Sequence, residues 1–275
     1  MTGASAGLGL AFASMLIEEG VEVWGTARET ARLGKPATIP PAGAGGPARL
    51  KPVALDLADS AAAVRAFEQA AAQAGGFDLV VNNAGFGVFG GFADSSASGW
   101  KAQVDAMLGT TLLLSHAALG AMLGRGRGCL VNVSSLAAEF PLPFMSGYNV
   151  AKAGLSALSE SLIFETRGTP VTVIDFRPGD YRTSFNQSMR PPTSAPAHAD
   201  LSSRQARAWA ALEANLAAAP PPERAAADLR RALLRNRSGI VRSGSFFQSR
   251  LAPVFARLVP ERVLRTVLAK YYRCG

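Results

Sequence analysis

The chain is poor in the residues that staple or metallate a fold. Among 275 residues there are two cysteines, Cys129 and Cys274, and two histidines, His116 and His198. Two thiols, one in an apolar run and one beside the last residue, exclude a disulfide framework and suit a reducing, cytoplasmic setting. With so few imidazoles and no cluster at ligand spacing, no metal is expected. Charged residues make up only 17% of the chain against 48% hydrophobic. That excludes a disordered, solvating segment and allows one large buried core. No basic-then-apolar leader opens the sequence. Nor is there an acidic excess: the net charge is +8, and residues 223–275 hold twelve basic and three acidic side chains, so the remainder is near neutral. A basic segment can attract nucleic acid or an anionic membrane, but a solvated helical surface explains it as well; no nucleic-acid partner is expected. The longest uncharged run, Ala106 to Gly124, has 19 residues, enough to raise a membrane span. Its Thr110, Thr111, Ser115, His116 and three glycines point instead to a helix buried against a sheet or in a subunit interface.

What is present is an alternation of strands and helices. Apolar, β-branched runs read as strands at Val21–Ala27, Leu50–Leu55, Phe77–Val81, Cys129–Ser134 and Val171–Asp175, with a short one at Gly239–Arg242. Between them Ser60–Ala74 and Pro221–Arg235 read as helices. The pattern predicts an α/β fold: a doubly wound parallel sheet in a three-layer α/β/α arrangement. Thr2-Gly3-Ala4-Ser5-Ala6-Gly7-Leu8-Gly9 is a glycine-rich turn opening a helix that Gly20 stops. Its glycines let the backbone approach a pyrophosphate, and the helix N-terminus supplies free N–H groups. Such a turn normally follows a strand, yet only Met1 precedes it. The first, central strand therefore reads as truncated, and an upstream start is expected, because an open central slot would leave two neighbours unpaired.

Ligands of such sheets sit beyond the carboxyl ends of the strands. The glycine turn, Asp56, Asn82–Gly85 and Ser135 all fall at such ends, so one crevice is expected to hold them. At the end of the second strand stands Arg28, where a carboxylate would select NAD; the guanidinium suits the 2′-phosphate of NADP, a plain surface arginine being the alternative. Lys35–Arg49 reads as a surface loop. Residues 184–205 show no clear period and are expected to be an irregular segment, either a lid or a passive loop.

Tyr148 and Lys152 stand four apart, on one face of a helix. An ammonium beside a phenol lowers its pKa from about 10, which would let Tyr148 exchange a proton near neutral pH. Ser135 lies where a strand stops and can hydrogen-bond the oxygen that Tyr148 protonates. Chance pairing on a helix is the alternative for Tyr148 and Lys152 taken alone.

Thr2-Gly3-x-x-x-Gly7-x-Gly9, Asn82-Asn83-Ala84-Gly85, Ser135, Tyr148-x-x-x-Lys152 and Pro178-Gly179-x-x-x-Thr183 follow one another over residues 1 to about 185. In this order they resemble the short-chain dehydrogenase/reductase family. The resemblance implies a Rossmann-like, NADP-dependent oxidoreductase. It implies Tyr148 as general acid-base, Ser135 orienting the carbonyl, and Lys152 lowering the phenol pKa and holding the nicotinamide ribose. It places Gly3, Ser5, Gly7, Leu8, Gly9, Arg28, Asp56, Leu57, Asn82, Ala84, Gly85, Pro178, Gly179, Tyr181 and Thr183 around the cofactor. One element departs: the Asn that feeds a proton relay in the family is Ala106 here. Phe86, Phe89, Leu142 and Phe144 are expected to wall a pocket for an apolar ketone or secondary alcohol. The alternative is a non-catalytic NADP-binding sensor or scaffold of the same fold. A homodimer or homotetramer is expected.

Beyond residue 220 the resemblance thins. Residues 246–275 read as an amphipathic basic tail on a domain of residues 1–245, with Phe247, Leu251, Phe255 and Leu258 interleaved with arginines. It can pack over the pocket, join subunits or lie on a membrane; packing is the expectation.

Overall fold

A computed structural model describes residues 1–33, 50–185, 189 and 199–274. Helix α1 (Gly7–Glu18) leads to strand β1 (Val23–Ala27), β2 (Leu50–Ala54), α2 (Ser60–Ala74) and β3 (Leu79–Asn82). Helix α3 (Ala97–Val104) continues through a π-helical turn, Asp105–Thr110, into α4 (Thr111–Arg125). Then come β4 (Gly128–Val133), α5 (Ser146–Glu165), β5 (Val171–Pro178), α6 (Ala199–Ala217), α7 (Pro222–Arg235) and β6 (Gly239–Ser243). The tail holds a π turn, Phe247–Leu251, then α8 (Ala252–Leu258) and α9 (Glu261–Tyr271).

All strand pairs are parallel, in the orders β1-β2 and β3-β4-β5-β6. The gap between β1 and β3 is where the sequence lacks a strand. Residues Met1–Ala4 hold its carboxyl end: Thr2 N–H donates to Val81 O at 2.9 Å, Thr26 N–H to Met1 O at 2.9 Å and Ala4 N–H to Thr26 O at 3.1 Å. The two half-sheets are thus bridged at the end that matters for the site, and the slot is not left open there.

Alternate side chains point to opposite faces of a strand. Val81, Val131 and Ile174 therefore meet Phe12 and Leu229 of α1 and α7. Their neighbours Val80, Leu130 and Val173 meet Leu119, Met122 and Leu162 of α4 and α5. The run Ala97–Arg125 is apolar and long enough to cross a membrane, and half of its most apolar window is buried inside the protein, as expected for a helix packed on a sheet. Its outer face leaves Leu112, Leu113 and Leu123 exposed.

One expectation changes. Residues 199–205 are not irregular but open α6: Ala208, Ala211 and Leu212 recur at helical spacing and are buried. The remainder of the expected lid, apart from residues 184, 185 and 189, lies outside the described residues, as does Lys35–Arg49.

Candidate active site

The carboxyl ends of β1, β3, β4 and β5 open on one cleft of about 960 Å³. At its β1 end the glycine turn makes a cradle that side chains would fill. A Cβ on Gly9 would stand 2.0 Å from Gly3 O, and one on Gly3, at φ +66°, 2.9 Å from Ala84 Cα. Ala6 offers α1 no side-chain cap, and the first turn contains no acid, so its free N–H groups are left for an anion. Ser5, Gly7, Leu8, Arg28, Asp56, Leu57, Ala84 and Gly85 line the same end. Asp56 Oδ1 accepts from Ala58 N–H at 3.0 Å, which fixes the turn after β2. Arg32, which the sequence reading missed, joins exposed Arg28 at the rim, its guanidinium held by Glu29 at 3.1 Å. Glycine cradle and helix N-terminus fit the pyrophosphate of an NAD(P) dinucleotide, with the two arginines at the rim.

At the other end Ser135, Tyr148 and Lys152 share one wall. Ser135 follows β4; its Oγ accepts from Ala137 N–H at 3.0 Å. Tyr148 and Lys152 ride the first turns of α5. Asn149 of the same turn clamps the preceding loop, donating to Leu142 O at 2.7 Å and accepting from Leu142 N–H at 3.0 Å. Pro178, Gly179, Tyr181 and Thr183 leave β5 along the same cleft. Tyr181 is buried and its hydroxyl pairs with Ser243, so it pins the loop to β6. Thr183 Cβ would lie 3.4 Å from a Cβ on Gly7, closing the loop against the glycine turn.

Three sequence expectations are corrected. Asn82 does not line the cleft: it is buried, donating at 2.9 Å to both Ser115 Oγ and Asn132 Oδ1, and it ties β3 to β4 and α4. Its side chain is on the inward face of the last strand residue, and Asn83, one residue on, faces the cleft instead. Phe89 and Phe144 do not line it either. They stand behind the wall, their ring centres 5.7 Å apart, with Phe89 4.9 Å from Trp209 of α6, while Phe86 and Leu142 do reach the cleft. Phe144 takes the left-handed φ of 60°, which turns its ring into that cluster. Finally, Lys152 does not bring the phenol down to neutral pH. Burial pushes Tyr148 up to about 12, with Ser135 pulling it down and the Asp180 charge adding to the rise. Burial lowers Lys152 to about 8 against the opposing pull of Asp175. That carboxylate, buried under β5, accepts from Ser134, from Ser156 Oγ at 2.7 Å and from Arg177 Nε at 2.7 Å.

The substrate end also draws on residues distant in the chain: Met145, Leu212 and Leu216, and, from the tail, Phe247, Gln248 and Tyr271. The tail thus roofs the cleft. Arg207 Nε donates to Arg273 O at 3.1 Å, and Gln248 Nε2 to Asp180 Oδ2 at 2.6 Å.

A doubly wound sheet with this cradle and a Ser/Tyr/Lys wall defines an NAD(P)-binding oxidoreductase fold. The chain belongs to the short chain dehydrogenase family, whose sequence profile matches residues 1–194. Among curated proteins, 3-ketodihydrosphingosine reductase of Bacteroides thetaiotaomicron is 28% identical over 189 residues, which is 68% of this chain and 65%, just under two thirds, of that reductase. A short-chain dehydrogenase structure from Streptomyces avermitilis has TM-score 0.77 and 28% identity, covering 96% of each chain. A metagenomic short-chain oxidoreductase in complex with NADP has TM-score 0.65 and 27% identity, covering 88% of this chain and 95% of its own.

Proposed function

We propose that this protein is an NADP-dependent reductase of apolar ketones. The observation that carries the reading is that Ser135, Tyr148 and Lys152 stand on one wall of the cleft whose other end is the glycine cradle with Arg28 and Arg32. Arg28 and Arg32 would hold the 2′-phosphate, and the first turn of α1 the pyrophosphate. The nicotinamide, when bound, supplies or accepts the hydride at the substrate carbon. Ser135 Oγ would hold the carbonyl oxygen, and Tyr148 would give that oxygen its proton. A phenol that keeps its proton is the form that donates in the reductive direction. Lys152, deep beneath Tyr148, supplies positive charge at the wall. Ala106 lines the cleft but brings no polar atom to a proton path. The apolar lining from Phe86, Leu142, Met145 and Leu212 suits a hydrocarbon chain, and the relative named as a 3-ketodihydrosphingosine reductase supports a ketone.

We also propose that the enzyme works in the cytoplasm. We assign Leu112, Leu113, Val150 and Phe164, exposed on α4 and α5, to contact between identical subunits. The test of the main reading is NADPH oxidation over a ketone and aldehyde panel. Turnover abolished in Tyr148→Phe supports it. NADPH binding without turnover of any carbonyl would favour the sensor or scaffold reading.

A further inference from the structure

The substrate end of the cleft combines the apolar Phe86, Leu142, Met145 and Leu212 with one carboxylate. Asp180, directly after Pro178-Gly179, lines the cleft beside Tyr148, Tyr271 and Tyr272. Its carboxylate has one side-chain partner among the described residues, Gln248, whose Nε2 donates to Oδ2 at 2.6 Å. Gln248 arrives from the tail, 68 positions later. It fits because Gly179 has no side chain: a Cβ there would stand 2.8 Å from Gln248 Oε1. The other oxygen, Oδ1, is left to the cleft.

Among the described residues no cation pairs with Asp180. Arg28 and Arg32 stand at the cradle end, and Lys152 is spent on Val133 O at 2.7 Å. The remaining neighbours, Tyr148, Tyr271 and Tyr272, are weak acids, whose ionisation the Asp180 charge opposes. Burial also pushes the Asp180 carboxyl up, against the pull of Gln248. A carboxylate held in an apolar wall without a counter-charge is unfavourable. A ligand carrying a donor offsets that penalty, and a ligand without one leaves the group unpaired, which is how polar pockets discriminate.

We infer that Asp180, oriented by Gln248, is a recognition point for a hydrogen-bond donor, ammonium or hydroxyl, carried by the substrate close to its carbonyl, so that the enzyme takes amino- or hydroxyketones on an apolar chain. This rests on, and deepens, the reading of Ser135, Tyr148 and Lys152 as a reducing centre.

The experiment compares 2-decanone, 1-hydroxy-2-decanone and 1-amino-2-decanone hydrochloride, using the full chain, Asp180→Asn and Asp180→Leu. NADPH-dependent reduction and calorimetric binding of each ketone to the NADPH complex are both measured. The two functionalised ketones should exceed 2-decanone in kcat/KM by about tenfold or more in the unmodified enzyme, the low end for a pocket contact. Asp180→Asn, nearly isosteric, should lose the amino preference first, because an amide accepts a hydrogen bond without charge. Asp180→Leu should lose both. Each variant is judged by its own ratio to 2-decanone, so a general loss of activity does not imitate the result. If the amino arm alone is preferred the donor is an ammonium; if both are, a hydroxyl suffices. Ratios equal in all three proteins, or a preference for 2-decanone, would overturn the inference. If no ketone is reduced, the reducing-centre reading fails by itself. The calorimetric preference and its dependence on Asp180 then decide the recognition point separately.

Discussion

Lys152 Nζ donates to the Val133 carbonyl oxygen at 2.7 Å and lies 5.8 Å from the centre of the Tyr148 ring. The ammonium is therefore anchored to the end of β4, not hydrogen-bonded to the phenol. It is buried, and the cleft wall formed by Ser135, Tyr148 and Lys152 carries a charge at a cost in stability.

That cost has a sign that can be measured. Lys152 is lowered from 10.5 to about 8 in the folded chain. Between those values the unfolded chain holds a proton that the folded chain has lost, so this group makes stability rise with pH across the window. The contribution is fully present above the unfolded value and lost as pH falls through about 8. Below that the folded state bears roughly 3 kcal/mol, at about 1.4 kcal/mol per pKa unit. Losing the Val133 hydrogen bond offsets about 1 kcal/mol of any gain. Lys152→Met should accordingly melt higher than the unmodified protein at pH 7 by a few degrees, at about 2–4 °C per kcal/mol. The gap should shrink by pH 10, while turnover falls. A variant that melts lower at pH 7, with a gap indifferent to pH, would contradict the burial argument.

On the proposed reading, Tyr148→Phe removes only the proton donor. NADPH binding, followed by fluorescence, should persist, and ketone reduction should fall at least about 100-fold, the lower bound for losing a general acid. Residual activity above a hundredth would mean that another group delivers the proton.

Arg28 is exposed at the cradle rim, with Arg32 beside it. Arg28→Ala should weaken NADPH binding by about 1.5–3 kcal/mol, the range for a charge-assisted hydrogen bond, and leave NADH affinity nearly unchanged. Because Arg32 already bonds Glu29, it should replace Arg28 only in part. Equal losses for both cofactors would sink the assignment of the 2′-phosphate.

Removing the chain after Ser245 strips the roof, including Phe247, Gln248 and Tyr271. The cradle lies on α1 and β1, so NADPH affinity should survive. KM for long-chain ketones should rise more than KM for short ones. The tail also exposes Phe246, Leu251, Val254 and Leu258. The intact protein is expected to bind anionic vesicles weakly at physiological salt, where surface attraction is screened within about 8 Å. Strong, salt-sensitive vesicle binding lost on truncation, with KM unmoved, would make the tail a membrane contact instead.

Much of this was local and therefore legible. A glycine turn at a helix start needs only neighbouring residues, and α1 begins at Gly7 as the turn implies. Alternating burial is written into β-branched runs, and Ser60–Ala74 forms α2 with its Asp59 cap accepting from Ala62 N–H at 2.9 Å. The spacing of Tyr148 and Lys152 is a helical property, so their shared wall followed once the helix formed. Helix α6 was obscured by the polar, proline-bearing stretch before it.

The rest depended on contacts between distant positions. Which of Asn82 and Asn83 faces the cleft is set by the register of β3 against β4, where Asn82 pairs with Asn132. Whether Phe89 lines the pocket is decided by Trp209 of α6 packing against it. The pairing of Asp180 with Gln248 joins a strand end to the tail. The protonation of Tyr148 and Lys152 turns on burial, because desolvation by the folded chain outweighs the neighbouring charge that sequence spacing reveals. Sequence alone determined the elements, their order and the chemistry at the strand ends, since these follow from local periodicity and residue type. Tertiary structure decided which side chains reach the cleft and which protons they keep, since both depend on what packs around them.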